Sequence, residues 1–530
     1  MRTTAKDGGM TTSLWHDTPI RRFETRPELE TDVCVIGAGI AGLTTAFELV
    51  RRGTRVSVID DGPVGGGETG RTTAHLASAL DDRFYKLEDR FGEHGARLAA
   101  ESHAAAIDWI EAAVDELAIE CEFQRVDGYL FAPPGDVSGE LDRELAAAKR
   151  AGLAVDRVDR APIAFDSGPA LRFARQAEFH PLRYLRGLAE AVVERGGHIH
   201  TGVHVIGIEP GRPLAVRLAG NRRLLCRIAI DATSSAFTSP HKLILRQAAY
   251  RTYVIAFDLA PGDVTHALYW DTADPYHYVR VATGPAGRDV LLVGGGDHRT
   301  GQGDAERSWG ELERWGRERF PIAGPILMRW SGQIIEPVDG LAHIGRSPDL
   351  EHVYVITGDS GNGLTHGTIA GLLLPVLMRG HRHPWAEIYD PGRSHLHALG
   401  RLVKEAASSV VPYTEWVRSG DVGSLEEIPR GHGAVVRRGL HMIAAYRDEA
   451  GICHLHSATC PHLRGVVHWN SAEQTWDCPC HGSRFDVDGR VVNGPATTDL
   501  TPIEPPREQP REPPVRAPVT PAGGPEDRRS

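Results

Sequence analysis

The sequence predicts an α/β domain with a β-rich subdomain, followed by an all-β domain. Thr31 to Asp61 reads as strand, glycine turn, helix and strand, and four of the seven cysteines cluster after residue 450. The chain has 530 residues, which is more than one hydrophobic core usually serves, so we expect two or three domains.

The overall composition is that of a globular enzyme. Hydrophobic residues make up 41% and charged residues 24%, which excludes wholesale disorder. The net charge of -11 argues against a nucleic-acid partner. The first 29 residues lack the apolar core of a secretory signal, and no window reaches about 18 consecutive apolar residues. We therefore expect a cytoplasmic protein without an integral membrane segment.

The first motif is Gly37-x-Gly39-x-x-Gly42, which follows a β-branched strand and opens a helix. Glycines at these positions let backbone amides at a helix N-terminus approach a pyrophosphate. Asp60 ends the second strand, where a carboxylate can accept hydrogen bonds from ribose hydroxyls. The alternative is a merely structural turn, and the motif alone does not separate FAD from NAD.

A second glycine-rich segment, Thr357 to Gly367, again lies between a strand and a helix. With Trp330 to Gly340 and Asp231 to Thr233, it resembles the D-amino-acid oxidase and glycine/sarcosine oxidase family of flavoproteins, from about Asp32 to Arg393. The resemblance implies FAD as cofactor and a Rossmann-like FAD-binding domain. The cofactor-binding residues that we expect are Gly37, Gly39, Gly42, Asp60, Thr69, Arg71, Thr72, Thr73, Gly358, Gly361, Gly363 and Thr365.

The late cluster pairs one cysteine with one histidine twice, as Cys460-x-His462 and Cys478-x-x-His481. Two thiolates and two imidazoles are the ligand set of a [2Fe-2S] cluster in which two histidines replace two cysteines on one iron. Zinc accepts the same ligand types, but its sites typically use a different spacing.

The residues around these ligands, with the Gly494-Pro-Ala segment, resemble Rieske proteins, and the resemblance implies a Rieske-type [2Fe-2S] cluster with Cys460, His462, Cys478 and His481 as ligands. One departure concerns Gly465, which stands where cytochrome bc-type Rieske proteins have a cysteine. Cys480 therefore lacks its usual disulfide partner.

The segments Tyr269 to Arg280 and Gly294 to Gly301 resemble bacterial members of the flavoprotein family that carry a C-terminal Rieske domain. The predicted catalytic residues are His277, Tyr278, Arg280 and His298. A histidine could act as base, and an arginine could hold a substrate carboxylate by two hydrogen bonds. Each of these residues also has a purely structural interpretation.

The expected activity is that of an FAD-dependent dehydrogenase. The resemblance implies an amine or amino acid as the small-molecule substrate, with CH–NH or CH–NH2 groups oxidised and electrons passed from FAD through the cluster to an external acceptor such as a ferredoxin or a quinone. Two alternatives stay open: an electron-transfer module without a small-molecule substrate, and an oxidase that uses O2 and has an auxiliary cluster.

The chain divides into five predicted segments. They are an N-terminal extension (1–30), an FAD-dependent oxidoreductase domain (31–394) with a substrate subdomain at about 240–340, a linker helix (395–420), an all-β Rieske domain (421–505) and a disordered tail (506–530). Helical patterns over 92–117, 140–151 and 181–195 alternate with strands and predict the α/β core. The Pro/Glu/Arg-rich end cannot bury a core.

Overall fold

The computed structural model describes residues 9–18, 23, 30–135, 139–238, 243, 246–284, 287–393, 416 and 419–504. Nearly all of the predicted linker helix and the whole predicted tail lie outside these residues. No helix in the described part of the chain is both long and apolar enough to cross a membrane.

The described α-helices lie in the first 390 residues, and Ala305–Arg319 is a helix within the segment predicted to be β-rich. Those described are α1 (Ile40–Val50), α2 (Phe84–Glu116), α3 (Glu140–Arg150), α4 (Pro181–Glu194), α5 (Ala305–Arg319), α6 (Gly363–Met378) and α7 (Ala386–Tyr389), with short 3-10 helices at Leu14–Asp17, Glu68–Arg71 and Leu425–Glu427. Helix α2 begins earlier than the pattern predicts and kinks at Gly92, whose φ of 70° is not helical.

The strands of the first module form two sheets. They are β1 (Glu30–Ile36), β2 (Val56–Ile59), β3 (His75–Leu76), β4 (Gln124–Phe131), β5 (Val155–Val158), β6 (Ala170–Glu178), β7 (His198–His200), β8 (Val205–Glu209), β9 (Leu214–Leu218), β10 (Arg222–Ser234), β11 (Gln247–Asp258), β12 (Leu268–Asp271), β13 (His277–Thr283), β14 (Asp289–Arg299), β15 (Ile326–Pro337), β16 (His343–Arg346) and β17 (Val353–Thr357).

The first sheet has the order β16-β17-β10-β1-β2-β7, with β8 and β9 attached to β10. Strands β17, β10, β1, β2 and β7 are parallel, as the predicted β1-α1-β2 unit requires. Side chains such as Val35, Val58 and Leu43 are fully buried between this sheet and its helices. Because ligands bind at the carboxyl ends of parallel strands, the glycine turn after β1 lies at the expected edge.

The second sheet has nine strands in the order β15-β11-β14-β13-β12-β4-β6-β3, with β5 beside β6. It contains the β-rich segment predicted for the substrate subdomain. It also takes β3 to β6 from residues 75–178, which lie outside the predicted 240–340 segment. Helix α5 covers β11 and β14 with the buried side chains of Trp309 and Leu312.

The Rieske-like module is all β, as predicted. One sheet consists of β18 (His432–Arg438), β19 (His441–Arg447) and β20 (Cys453–Ser457), and the other of β21 (His468–Asn470), β22 (Thr475–Asp477), β23 (Arg484–Phe485) and β24 (Val491–Asn493). Trp476 and Phe485 are fully buried in the same core as the predicted cysteine ligands. The ligand loops are therefore anchored to a packed core.

Candidate functional site

A cavity of about 330 Å³ runs from the glycine turn after β1 to the nine-stranded sheet. Ten of the twelve predicted cofactor-binding residues line it: Gly37, Gly39, Asp60, Thr69, Arg71, Thr72, Thr73, Gly358, Gly361 and Gly363. The other two pack beside the wall: a side chain on Gly42 would meet the Gly37 carbonyl oxygen, and Thr365 Oγ1 shares a hydrogen bond with His103 Nδ1.

The dinucleotide end of the cavity is shaped by the backbone. Gly37 has a φ of 110°, and a Cβ there would lie 2.5 Å from the Ala232 carbonyl oxygen. The Asp60 carboxylate accepts hydrogen bonds from the amides of Ala38 (2.6 Å) and Gly62 (2.8 Å), which fix it at the cavity wall. Thr69 Oγ1 accepts a hydrogen bond from the Ile40 amide. This lining fits the pyrophosphate and ribose of FAD.

At the far end, helix α6 begins at the wall with Gly363 and Leu364. Its N-cap residue, Asn362, makes no side-chain capping hydrogen bond. The first backbone amides of a helix without such a cap can donate hydrogen bonds to electron-rich atoms of a ligand. The far end therefore fits the flavin ring.

Of the predicted catalytic residues, Tyr278 lines the cavity. Its hydroxyl shares a hydrogen bond of 2.8 Å with Thr252 Oγ1, and its ring meets His75 edge-on at 5.7 Å between centroids. His75 also lines the cavity, with Nδ1 hydrogen-bonded to Thr73 Oγ1 and Nε2 buried. Burial lowers the pKa of His75 to about 3, so its imidazole is neutral.

The other three predicted catalytic residues lie outside the cavity wall, and their roles stay predictions. Each one contacts another protein group. His277 Nδ1 pairs with Asp271 Oδ2 (2.9 Å), and His298 Nε2 contacts the Tyr253 hydroxyl (2.8 Å). Arg280 donates from Nη1 to the Ala74 carbonyl (2.7 Å), and its Nε pairs with Glu178 (3.4 Å). The two-residue period of β13 points Tyr278 and Arg280 to the same face, but Arg280 is 3% exposed and ends in an ion pair.

The four predicted cluster ligands are brought together by two loops. Cys460 and Cys478 are buried with their sulfurs within hydrogen-bonding distance, which lowers the pKa of Cys460. The rings of His462 and His481 meet edge-on at 5.3 Å between centroids. His462 Nε2 and His481 Nδ1 are buried without a hydrogen-bond partner among the described residues. Thiols and imidazoles thus form two pairs.

This pairing fits two irons better than one zinc. Tetrahedral zinc needs four ligands around one point, whereas here the two cysteine sulfurs contact each other and the two imidazole rings contact each other. A Rieske cluster instead takes two cysteines on one iron and two histidines on the other. Ser483 hydrogen-bonds to the Cys460 sulfur, an outer contact of the kind that tunes such clusters.

Gly465 explains how the module accommodates the missing disulfide. Cys480 is buried and forms no disulfide within the described part of the chain, and a Cβ on Gly465 would lie 2.3 Å from its sulfur and 3.3 Å from that of Cys478. The backbone of Gly465 therefore packs directly on the thiol of Cys480.

The second ligand loop packs against the flavin module. Gln333 Nε2 donates to the Gly482 carbonyl (3.1 Å), and Gln333 also lines the cavity. A Cβ on Gly482 would lie 2.4 Å from Ala249 Cβ on β11. His481, which precedes Gly482, is 8% exposed. One residue therefore touches both the cavity and the cluster loop.

The Rieske-like module also closes part of the cavity. Val491, Asn493, Gly494 and Thr497 are among its residues on the wall. Asn493 Nδ2 donates to Glu68 Oε1 at 2.9 Å.

A buried ion cluster holds the two modules together, and sequence reasoning missed it. The side chain of Glu473 is 0% exposed and pairs with Arg71 Nη1 (3.1 Å) and Arg251 Nη2 (3.3 Å). Ser331 Oγ donates to the same carboxylate, and the amide of Thr11 donates to it at 3.0 Å.

The charge of Glu473 is held strongly. Burial raises its pKa, but the guanidinium groups of Arg71, Arg251 and Arg484 outweigh burial and bring the pKa to about 2. No local motif marks this glutamate, because its ion-pair partners Arg71 and Arg251 lie hundreds of residues away.

The N-terminal segment 9–18 lies between the modules. The Met10 amide donates to the Glu473 carbonyl (3.1 Å), and Thr11 contacts both Glu473 and Arg71. Trp15, which is 1% exposed, donates from Nε1 to the Thr72 carbonyl (2.6 Å). Residues 9–18 of the predicted extension are therefore part of the interface.

A dinucleotide cavity joined to a two-iron ligand set defines an iron-sulfur flavoprotein oxidoreductase. Residues 32–374 match the family described as FAD dependent oxidoreductase (DAO), and residues 418–504 match the Rieske [2Fe-2S] domain. The chain belongs to the DAO family of FAD-dependent oxidoreductases, with a C-terminal Rieske domain. Its cofactors are FAD and a [2Fe-2S] cluster, as predicted.

Relatives agree with this assignment. The chain is 33% identical over 481 residues to YhfW of Bacillus subtilis (strain 168), named as a Rieske 2Fe-2S iron-sulfur protein, covering 90% of this chain and 94% of YhfW. It is 25% identical to gamma-glutamylputrescine oxidoreductase of Escherichia coli (strain K12), covering 68% and 86%. The glycine oxidase structure from Geobacillus kaustophilus shares the fold, with a TM-score of 0.60, 17% identity and coverage of 69% and 100%.

Proposed function

We propose that this oxidoreductase is a dehydrogenase that oxidises an amine or amino acid in the cavity and delivers the electrons through the Rieske domain to an external acceptor. When bound, FAD supplies two-electron hydride chemistry and the [2Fe-2S] cluster supplies one-electron transfer. The substrate would lose a hydride from carbon to the bound FAD and a proton from nitrogen to solvent, so that its product is an imine.

The observation that carries this proposal is the contact of the second cluster loop with the cavity wall. Gln333 lies on β15, its side chain holds the Gly482 carbonyl, and its neighbours Gly332 and Ile334 line the cavity with it. Electron transfer between two sites requires a short, fixed separation, and the buried Glu473 ion cluster supports such a fixed arrangement.

The cavity wall also supports a small-molecule substrate. His75, Thr252 and Tyr278 lie on the wall beyond the dinucleotide turn. Because burial keeps His75 neutral, its ring adds no positive charge that would repel an ammonium group. The names of two relatives, gamma-glutamylputrescine oxidoreductase and glycine oxidase, favour an amine nitrogen as the oxidised group.

The test is an anaerobic titration of the full-length protein, loaded with both cofactors, with a panel of amines and amino acids and then with dithionite. Flavin absorbance and the EPR signal of the reduced cluster are followed together. We expect a panel member to bleach the flavin while the cluster signal grows. Bleaching with no cluster signal would overturn the internal route, and an EPR signal with dithionite alone would overturn the substrate assignment.

Oxygen separates the proposal from an O2-using oxidase. With the active panel member in air, we expect slow peroxide release and faster turnover when a one-electron acceptor is added. Peroxide release at the full turnover rate, unchanged by the acceptor, would favour the oxidase.

A further inference from the structure

The cavity wall beyond the dinucleotide turn combines carboxylates with aromatic rings. Asp81 and Asp359 line it, together with Trp270, Tyr276 and Tyr278. The rings of the two tyrosines lie 5.6 Å apart and tilt by 38°. Aromatic faces attract cations, and carboxylates pair with them. The lining therefore has the chemistry of a cation site.

The cationic side chains of the cavity lining are already paired: the hydrogen bond with Asp61 raises the pKa of His204 and holds that ring. Among the lining residues that the structure describes there is one arginine, Arg71, and no lysine. Arg71 is engaged by Glu473, by Thr11 and by the Ser331 carbonyl. A substrate carboxylate would therefore have to be desolvated without a counter-charge, which is costly.

Two further carboxyl groups stand next to this wall. Glu336 Oε2 accepts a hydrogen bond from Ser360 Oγ (2.9 Å). Asp297 receives a hydrogen bond from Thr252, while its Oδ1 is buried and has no partner among the described residues. Asp297 and Asp81 both lie close enough to Tyr276 and Tyr278 to raise the pKa of these phenols further, beyond the effect of their burial.

Crowding of these acids is unfavourable without a cation. Burial raises the pKa of Asp81 to about 6 and that of Asp359 to about 7. Burial, aided by Asp81, also raises the pKa of Asp297 to about 7. A positive charge placed among them would relieve this penalty, because buried charges are tolerated when they are paired.

We propose that the substrate is an alkylamine that binds as a cation and carries no carboxylate beside its nitrogen, held by Asp81 and the rings of Trp270, Tyr276 and Tyr278. This inference rests on the proposed function and narrows it. Asp81 packs directly on the second glycine segment, since a Cβ on Gly361 would lie 2.2 Å from Asp81 Oδ2. It is therefore held beside the segment assigned to the flavin ring.

A binding measurement tests this preference without turnover. Butyltrimethylammonium and butanoate each contain an unbranched chain of four carbons and carry opposite charges, and the quaternary ion has no N–H to lose. We expect calorimetry on the full-length protein loaded with both cofactors to detect binding of the ammonium ion only. Binding of butanoate with equal or higher affinity would overturn the inference.

Turnover with matched substrates gives the second measurement. 1,5-Diaminopentane and lysine differ only by the α-carboxylate, as do N-methylbutylamine and N-methylnorvaline. We expect the amine of a pair to bleach the flavin at a concentration at least tenfold lower than its amino acid. If the amino acids bleach it more readily, the inference fails and the proposed function stands; if no amine or amino acid bleaches it and dithionite does, the proposed function fails too.

The variant Asp81→Asn keeps the shape of the side chain and removes its charge. We expect the dissociation constant of butyltrimethylammonium to rise roughly 10- to 100-fold, the loss typical of a contact to a charged group. Asp263→Asn, at an exposed position of the same module, is the matched control and should leave binding unchanged. Equal affinities of the two variants would contradict the role of Asp81.

Discussion

The two ligand loops of the iron-sulfur site differ in what surrounds them. The second loop, with His481 and Gly482, is closed against β11 and β15 of the flavin module. The first loop, with His462, presents Pro461 and Arg464 to solvent. The two loops carry the same pair of ligand types but have different neighbours. Under the proposed function, electrons enter the cluster on the side of the second loop and leave it on the side of the first loop.

The largest expected effect comes from removing the carboxylate of the ion cluster that holds the two modules together. Glu473→Ala leaves Arg71 and Arg251 buried without their counter-charge, so we expect a loss of about 3–5 kcal/mol of stability. Thermal unfolding should then separate into two transitions. Glu449→Ala, at an exposed site of the same module, is the control. A single transition at an unchanged temperature would contradict this account of the interface.

Acid should weaken the same interface. The folded pKa of Glu473, about 2, lies below its unfolded value of about 4.3. Its contribution, roughly 3 kcal/mol, is therefore complete above pH 5 and is lost as the pH falls toward 2. The stability difference between the native protein and Glu473→Gln should shrink between pH 6 and pH 3, and a constant difference would count against the assigned pKa.

Gly482→Ala tests the fit of the second loop more gently. Its φ is 80° and the new Cβ would meet Ala249, so we expect a cost of about 1–3 kcal/mol and slower reduction of the cluster by the flavin. Gly439→Ala is the control: Gly439 has a φ of 61° and open space around it, so this substitution introduces the backbone strain without a steric contact. Stopped-flow absorbance measures the rate, and equal rates in both variants would mean that the contact is immaterial.

Gln333→Leu removes the hydrogen bond from the cavity wall to the loop and also the one that Thr300 Oγ1 donates to Gln333. We expect a loss of about 0.5–1.5 kcal/mol for each bond, with a corresponding fall in the transfer rate. Gln302→Leu, at an exposed position, is the control. If the Gln333 variant transfers electrons at the native rate, the route does not depend on this contact.

The smallest expected effect concerns Cys480. Because Gly465 stands beside it in place of a cysteine, a thiol reductant should leave the unfolding temperature unchanged. Mass spectrometry of unfolded protein, alkylated without prior reduction, should find all seven cysteines modified. A smaller number would indicate a disulfide.

The parts of the molecule that follow from local pattern were predictable from sequence. Gly37 and Gly39 shape their turn with their own backbone, and the cysteine and histidine pairs lie two or three residues apart. The ion pair of Arg280 was not predictable, since strand alternation predicts the face on which its side chain lies but not its partner Glu178 on another strand. Glu473 carries no signal at all, because its importance arises from the approach of two modules.

The N-terminal segment contacts a residue of the Rieske domain that is synthesised much later than the segment itself. Thr11 meets its partner Glu473 462 residues later, which at ribosomal rates takes about 20 to 90 s. Until then, the newly made flavin module carries Arg71 and Arg251 without the carboxylate that neutralises them. The counter-charge for these two arginines is therefore synthesised only with the Rieske domain.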